Sequence, residues 1–157
     1  MNAIAKPLCM FSAPTRTSVR RAAIDDVRDV LRLFVENLWP IAHFEPSMQA
    51  VGMGIWNAVN EGRVFVAERD GEIIGCAAYA DMQFWYMDKP QMWDQGIFVV
   101  EKYRKSRAAF MLDKALKDEA EARGMTLLYA ANTQNPDAGR IMNKRYRKIS
   151  EVFVVRE

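Results

Sequence analysis

Between residues 27 and 38 the apolar side chains Val27, Val30, Leu31, Phe34 and Leu38 recur at spacings of three and four, which gathers them on one face of a helix. Asp25 and Asp26 suit its first turn, where a helix carries partial positive charge, and Pro40 ends it. A short basic strand over 17–22 precedes this helix. Residues 48–60 repeat the helical spacing more weakly, with Gly52 and Gly54 inside the run and Gly62 closing it. Two β-favouring runs follow, 63–68 and 72–80, joined through Asp70-Gly71, a pair suited to a tight turn, so they form an antiparallel hairpin. A third strand over 92–100 comes after the Asp88-Lys89-Pro90 turn. Ser106 is placed to cap a long helix with Ala108, Met111, Leu112, Ala115, Leu116 and Ala120 on its apolar face. Asp113 with Lys117, and Lys117 with Glu121, pair on the wet side, and Gly124 stops the helix. Residues 125–131 read as a buried strand, 136–146 as a short helix opening on Pro136, and 149–155 as a last strand.

The order strand, helix, helix, three antiparallel strands, helix, strand, helix, strand fits neither a doubly wound nucleotide fold nor a barrel. It describes an α/β chain with a mixed, mostly antiparallel sheet flanked by helices on both faces. At 157 residues the chain holds one such domain, over 17–157. Residues 1–16, broken by Pro7 and Pro14, read as a loose N-terminal arm.

A formal charge of +2 is too small to point to nucleic acid or to a membrane surface. No apolar run approaches the length that crosses a bilayer. Cys9 and Cys76 are the only cysteines, and Cys76 lies in a strand-like apolar run, so a disulfide framework is not expected and a reducing cytoplasm is. One histidine and two separated cysteines leave no credible metal site.

Chemistry concentrates in residues 97–109, where a buried strand runs through a short turn into a helix. A helix start offers amide groups without internal partners, and Arg104, Lys105 and Arg107 add positive charge beside them, a ready site for a pyrophosphate. The small Ala108 and Ala109 let a ligand approach the backbone. Here the sequence resembles the GNAT (GCN5-related N-acetyltransferase) family over roughly 17–156. Ile97-x-Val99 ends the strand, Glu101-Lys102-Tyr103 makes the turn, and Arg104-x-x-Arg107-x-Ala109 fills the family's coenzyme A signature. Arg107 replaces the first signature glycine, as in phage-type and bacterial variants carrying an Arg-x-Ser-Arg-Ala run. A phage-encoded chain would work in a host cytoplasm.

The resemblance implies an acetyl-CoA-dependent N-acetyltransferase acting on a primary amine by direct attack. Backbone groups of Phe98 and Val99 would pair with the pantetheine arm. Amides from Arg104 through Lys105, Ser106, Arg107 and Ala108 to Ala109 would hold the pyrophosphate, and Asn132 and Asn135 would border the coenzyme. Asp94, on the same strand as Val99, stands where the family often places a carboxylate base; it reads equally as a carboxylate at a strand start. The family's proton-donating tyrosine is replaced by Met142 in the run Asn135-x-x-Ala138-x-x-Ile141-Met142, and methionine has no proton to give. Tyr146, four residues on, is either a substitute acid or a packing residue. His43 and Glu45 lie in the loop that overhangs the acceptor side in this family, where a histidine can titrate near neutral pH or stand solvated.

Two further clusters stay open. Phe84, Trp85, Tyr86, Met87, Met92 and Trp93 crowd one hairpin, as core, homodimer seam or apolar acceptor pocket. Arg140, Lys144, Arg145, Arg147 and Lys148 form a basic run, a solvated face or a contact for the 3′-phosphate of coenzyme A. The acceptor, a small molecule or a protein amine, is not named by the sequence, because the fold and donor site are shared across many acceptors. A catalytically silent GNAT-like protein that binds a protein or nucleic-acid partner is the alternative reading.

Overall fold

In a computed structural model of the chain, residues 16–42, 45–129, 144 and 147 are described. Five strands form one sheet in the order β1 (Ser18–Arg21), β2 (Val64–Arg69), β3 (Glu72–Met82), β4 (Gln91–Val99) and β5 (Leu127–Leu128). Every neighbouring pair is antiparallel except β4 with β5, which is parallel. Helices α1 (Val27–Leu38) and α2 (Met48–Asn60) connect β1 to β2, and α3 (Ala108–Ala122) makes the crossover from β4 to β5 that a parallel pair requires.

The sheet is covered on both faces because its inner strands carry apolar residues at successive positions, not at alternate ones. Val64 and Val66 pack under α1 and α2 with Val30, Leu33, Phe34, Ile55 and Val59. Phe65 and Ala67 face the other way, into a core built with Leu112 and Leu116 of α3. The Asp70-Gly71 turn has positive φ at both residues, 53° and 77°, the backbone that an aspartate-glycine pair tolerates at low cost. Ser47 caps α2, its hydroxyl accepting from the Ala50 amide at 3.2 Å, and this local bond helps the glycine-containing helix start.

Two irregularities shape the middle of the sheet. Between β2 and β3 the register shifts after Ala67, and Gly75 brings β3 close to β4. A side chain at Gly75 would stand 2.9 Å from the Phe98 carbonyl oxygen and 3.2 Å from Leu112 of α3, so only glycine fits there. Between β3 and β4 the partners Ala78↔Gly96 and Tyr79↔Asp94 leave Gln95 unmatched, a β-bulge in β4. Gly96 has φ of 135°, and a Cβ on it would meet the Phe98 ring at 2.7 Å.

The expected strands and helices up to 128 are present, with two adjustments to the long helix. The long helix begins at Ala108, not Ser106, with Arg107 at its N-cap. Asp113 and Lys117 do pair at 2.6 Å, but the Asp113 side chain is only 15% exposed, so this pair is not on the wet side of α3. Cys76 is fully buried with its thiol pushed far up by burial, as a structural cysteine would be. Apart from residues 16 and 144, the helix and strand expected over 136–146 and 149–155, and the arm expected over 1–16, lie outside the described residues. Among the described residues no helix is long and apolar enough to cross a membrane.

Candidate active site

The site is built beside the meeting of β4 and β5. Their described pairing covers Met92↔Leu127 and Trp93↔Leu128. Beyond Trp93, β4 runs on for six residues along β3 alone among the described strands, which leaves its other edge without a strand partner. The amide of Val100 donates to Ile74 of β3 at 2.9 Å. By alternation Phe98 also turns its backbone groups toward β3, and Val99 turns its own to the open edge. Of the expected pantetheine-pairing residues, Val99 therefore has its backbone on the open side, and Phe98 is engaged within the sheet. The Phe98 ring packs edge-on against Phe34 of α1, with centroids 4.8 Å apart.

After β4 the chain makes a single helical turn over Glu101–Tyr103. Glu72 at the start of β3 anchors that turn: it accepts from the Tyr103 hydroxyl at 3.1 Å and pairs with Lys102 at 3.0 Å. These two donors hold the Glu72 carboxyl below its usual range, Lys102 first. The helix start that follows is exposed at Arg104, Lys105, Arg107 and Ala109.

The Arg104 side chain turns back, donating to the Val99 carbonyl at 3.4 Å and to Asn37 of α1 at 3.2 Å. It ties α1 to the turn. Ser106 accepts from the Ala108 amide at 3.2 Å and gives its own amide to Tyr103 at 2.8 Å. The Ala108 side chain is fully buried in the core under α3, so its small size serves packing. Among the described residues, the amides of Arg107, Ala109 and Phe110 then remain open at the positive end of a 15-residue helix. Lys105 and Arg107 are exposed beside them, and neither has an ion-pair partner among the described residues.

Asp94 lies one residue past the last described β4–β5 pair, with only 7% of its surface exposed. Its carboxylate accepts from the Gly96 amide at 2.9 Å, a bond that the bulge at Gln95 makes possible. Burial pushes its pKa up, the Gly96 amide opposes this, and the negative charge of Asp113 adds to the rise, leaving it at about 6. Such a carboxylate is ionised at neutral pH and still basic enough to take a proton.

Sequence reasoning did not find the groups around it. Tyr129, just past β5, donates to Asp113 at 2.5 Å, and Lys117 holds the other carboxylate oxygen of Asp113. The only signal would have been the pairing register, which a single sequence does not display. His43, Asn132, Asn135, Met142 and Tyr146 lie outside the described residues, and Glu45 is exposed. The aromatic hairpin divides: Met92 is fully buried, whereas Trp85 is 94% exposed and stacks edge-on with Tyr86 at 5.3 Å on the surface.

A parallel strand pair beside a basic, amide-rich helix start is an arrangement suited to holding coenzyme A, and the class is that of the coenzyme A-dependent acyltransferases. The chain belongs to the acetyltransferase (GNAT) family, whose family model matches residues 24–144. Its donor is thus acetyl-CoA, the co-substrate of that family. No curated protein matches the chain in sequence. Among solved structures it is similar to aminoglycoside N-acetyltransferase AAC(6')-Iy in complex with CoA, at 18% identity and a TM-score of 0.74, covering 94% of this chain and 99% of that one. A predicted acetyltransferase with acetyl-CoA from Clostridium acetobutylicum is similar at 15% identity and a TM-score of 0.68, with 90% and 96% covered. A ribosomal-protein-alanine N-acetyltransferase from Brucella melitensis biovar Abortus 2308 is similar at 15% identity and a TM-score of 0.69, with 90% and 99% covered. At these identities the likeness carries the fold.

Proposed function

We propose that the chain transfers the acetyl group of acetyl-CoA directly to the nitrogen of a primary amine, with Asp94 as general base. The observation that carries this reading is the buried Asp94 on a strand edge that has no partner among the described strands beyond Trp93 and that leads to the open amides of α3. The amine nitrogen forms a bond to the thioester carbonyl carbon while its proton passes to Asp94; the C–S bond then breaks and the thiolate leaves. The Val99 amide, on the edge without a described strand partner, suits the pantetheine arm, while its carbonyl accepts from Arg104. The amides of Arg107 and Ala109, with the charges of Lys105 and Arg107, suit the pyrophosphate. Arg104, Ser106 and Ala108 support that start instead, through Asn37, the Ala108 amide and the core. Asn132 and Asn135 are assigned to the coenzyme, and Tyr146 to protonation of the thiolate, on the family resemblance.

The acceptor class to test first comes from the similar proteins, which include aminoglycoside and ribosomal-protein-alanine acetyltransferases. Thiol release from acetyl-CoA is measured with a panel of aminoglycosides, polyamines and alanine-leading peptides, alongside calorimetric titration of acetyl-CoA alone. Donor binding with turnover of one class is expected. Absence of binding at about millimolar acetyl-CoA counts against the donor site. Binding without turnover of any amine favours a silent coenzyme A-binding protein, the reading that Met142 at the usual acid position supports.

A further inference from the structure

The parallel register that opens the site also fixes what stands beside Asp94. Met92 faces the core under α3, and Leu127, its partner on β5, packs against that same core. Two residues further along β4, alternation turns Asp94 to that same face, and Tyr129, the residue after β5, reaches α3 through its bond to Asp113. On β3 the Cα partner of Asp94 is Tyr79, whose side chain is in the same core.

Across from them, α3 presents Asp113. Its Oδ1 accepts from the Tyr129 hydroxyl at 2.5 Å and its Oδ2 from Lys117 at 2.6 Å. With both oxygens bonded to donors, the carboxylate is fixed in place. The remaining charges on this face are already matched: the Tyr79 hydroxyl donates to Glu119 of α3 at 2.9 Å, and Glu119 pairs with Arg21 of β1 at 2.5 Å. Among the described residues, Asp94 itself has only the Gly96 amide as a hydrogen-bond partner.

We propose that Asp113, clamped between Tyr129 and Lys117, is a positioning residue for the reaction: it is the fixed charge against which Asp94 gains and loses its proton. The inference rests on the reading of Asp94 as the base. An ordinary helix-surface pair with a tyrosine tie would hold α3 against β5 and do nothing to Asp94. A charge that acts on Asp94 has a sign, and the sign can be reversed. Removing Asp113 takes away a negative neighbour and lowers the proton affinity of Asp94. Removing Lys117 strips compensation from Asp113 and raises it. A purely structural tie would give no such opposition. Asp113→Asn keeps an oxygen for the Tyr129 hydroxyl, which protects the fold.

The test is a carboxyl-carbon NMR titration of the full chain, with Asp94→Asn identifying the resonance. In parallel, the pH dependence of kcat/KM is taken from thiol release with whichever amine of the panel turns over. In Asp113→Asn the Asp94 midpoint is expected to fall by about half a pH unit or more, the size of a like charge acting through a partly hydrated interior. In Lys117→Met it is expected to rise by a few tenths. The acid limb of the rate profile should move with each. An Asp94 midpoint that stays in place, or shifts in the same direction in both folded variants, overturns the inference. Failure of the base reading looks different: the midpoints move as expected, but the acid limb stays and Asp94→Asn keeps its activity.

Discussion

Asp26 and Asp94 are nearly equally buried, at 8% and 7% exposed, yet their surroundings give them opposite chemistry. Asp26, just ahead of α1, accepts from the Arg20 guanidinium at 2.6 and 3.1 Å and from the Ala23 amide at 2.7 Å. Arg20 holds its carboxyl below the usual range in spite of burial. Asp94 has one amide and no cation bonded to it among the described residues, so burial first, with the Asp113 charge adding to it, pushes its pKa up to about 6. Burial alone therefore does not mark a functional carboxylate; what separates the two is whether a cation offsets that burial. Asp26 is a strut between β1 and α1. Asp94 is kept in the range where it exchanges a proton.

The largest expected effect is on turnover. Asp94→Asn keeps an oxygen for the Gly96 amide but has no base, so kcat should fall about 10²–10⁴-fold, the usual contribution of general base catalysis. Affinity for acetyl-CoA should hardly change, because Asp94 lies at the reacting end of the strand and the helix start is untouched. Asp26→Asn, compared as folded protein, should keep kcat within about twofold. Steady-state kinetics on both variants would break the contrast if Asp26→Asn lost as much turnover as Asp94→Asn.

The same Asp94→Asn substitution should stabilise the fold at neutral pH. A carboxyl whose pKa rises on folding favours the folded state below its unfolded value and loses that advantage as pH rises through its folded value. For Asp94 the window runs from 3.8 to about 6, an upper bound of about 3 kcal/mol at 1.36 kcal/mol per unit. Denaturant melts should show the gain above pH 6, and little below pH 4. A variant less stable than the parent at pH 8 would mean that the Asp94 charge is not strained by burial.

The contrast between these carboxylates was only half legible in the sequence. The hairpin turn at Asp70-Gly71, the apolar face of α3 and the strand-turn-helix run at 97–109 rest on local periodicity and turn chemistry, and they stand where those signals put them. What escaped depends on contacts between distant segments. The bulge at Gln95 resets the alternation along β4, so counting in twos from Val99 places Gly96 with Phe98, as observed, but puts Asp94 on the wrong face. Asp113 shows the helical spacing of an exposed pair with Lys117, and its bond to Tyr129, just past β5, is a long-range contact that the spacing does not display. Likewise, the basic signature at 104–109 was legible as a run. Which members point outward was decided by Asn37 on α1 and by the core under Ala108.

The smallest effect belongs to the strut, and it should run with the opposite pH slope. Asp26→Asn removes the charge from a bidentate pair whose arginine is 42% exposed, so solvent screening limits the loss to about 1–2 kcal/mol at pH 7. Because the folded pKa of Asp26 is depressed, its contribution is present above the unfolded value of 3.8 and is lost as pH falls through the folded one. Parent and variant should thus differ most at neutral pH and converge in acid. Salt should shrink the difference as well, since half of the pair reaches solvent. Convergence in acid is also expected for Asp94→Asn, but from the side of a gain, so the two variants bracket the parent at pH 7 and meet it near pH 3. A penalty for Asp26→Asn that persisted undiminished at pH 2.5 would show that the side chain acts there through packing alone, and the electrostatic division between the two aspartates would fail.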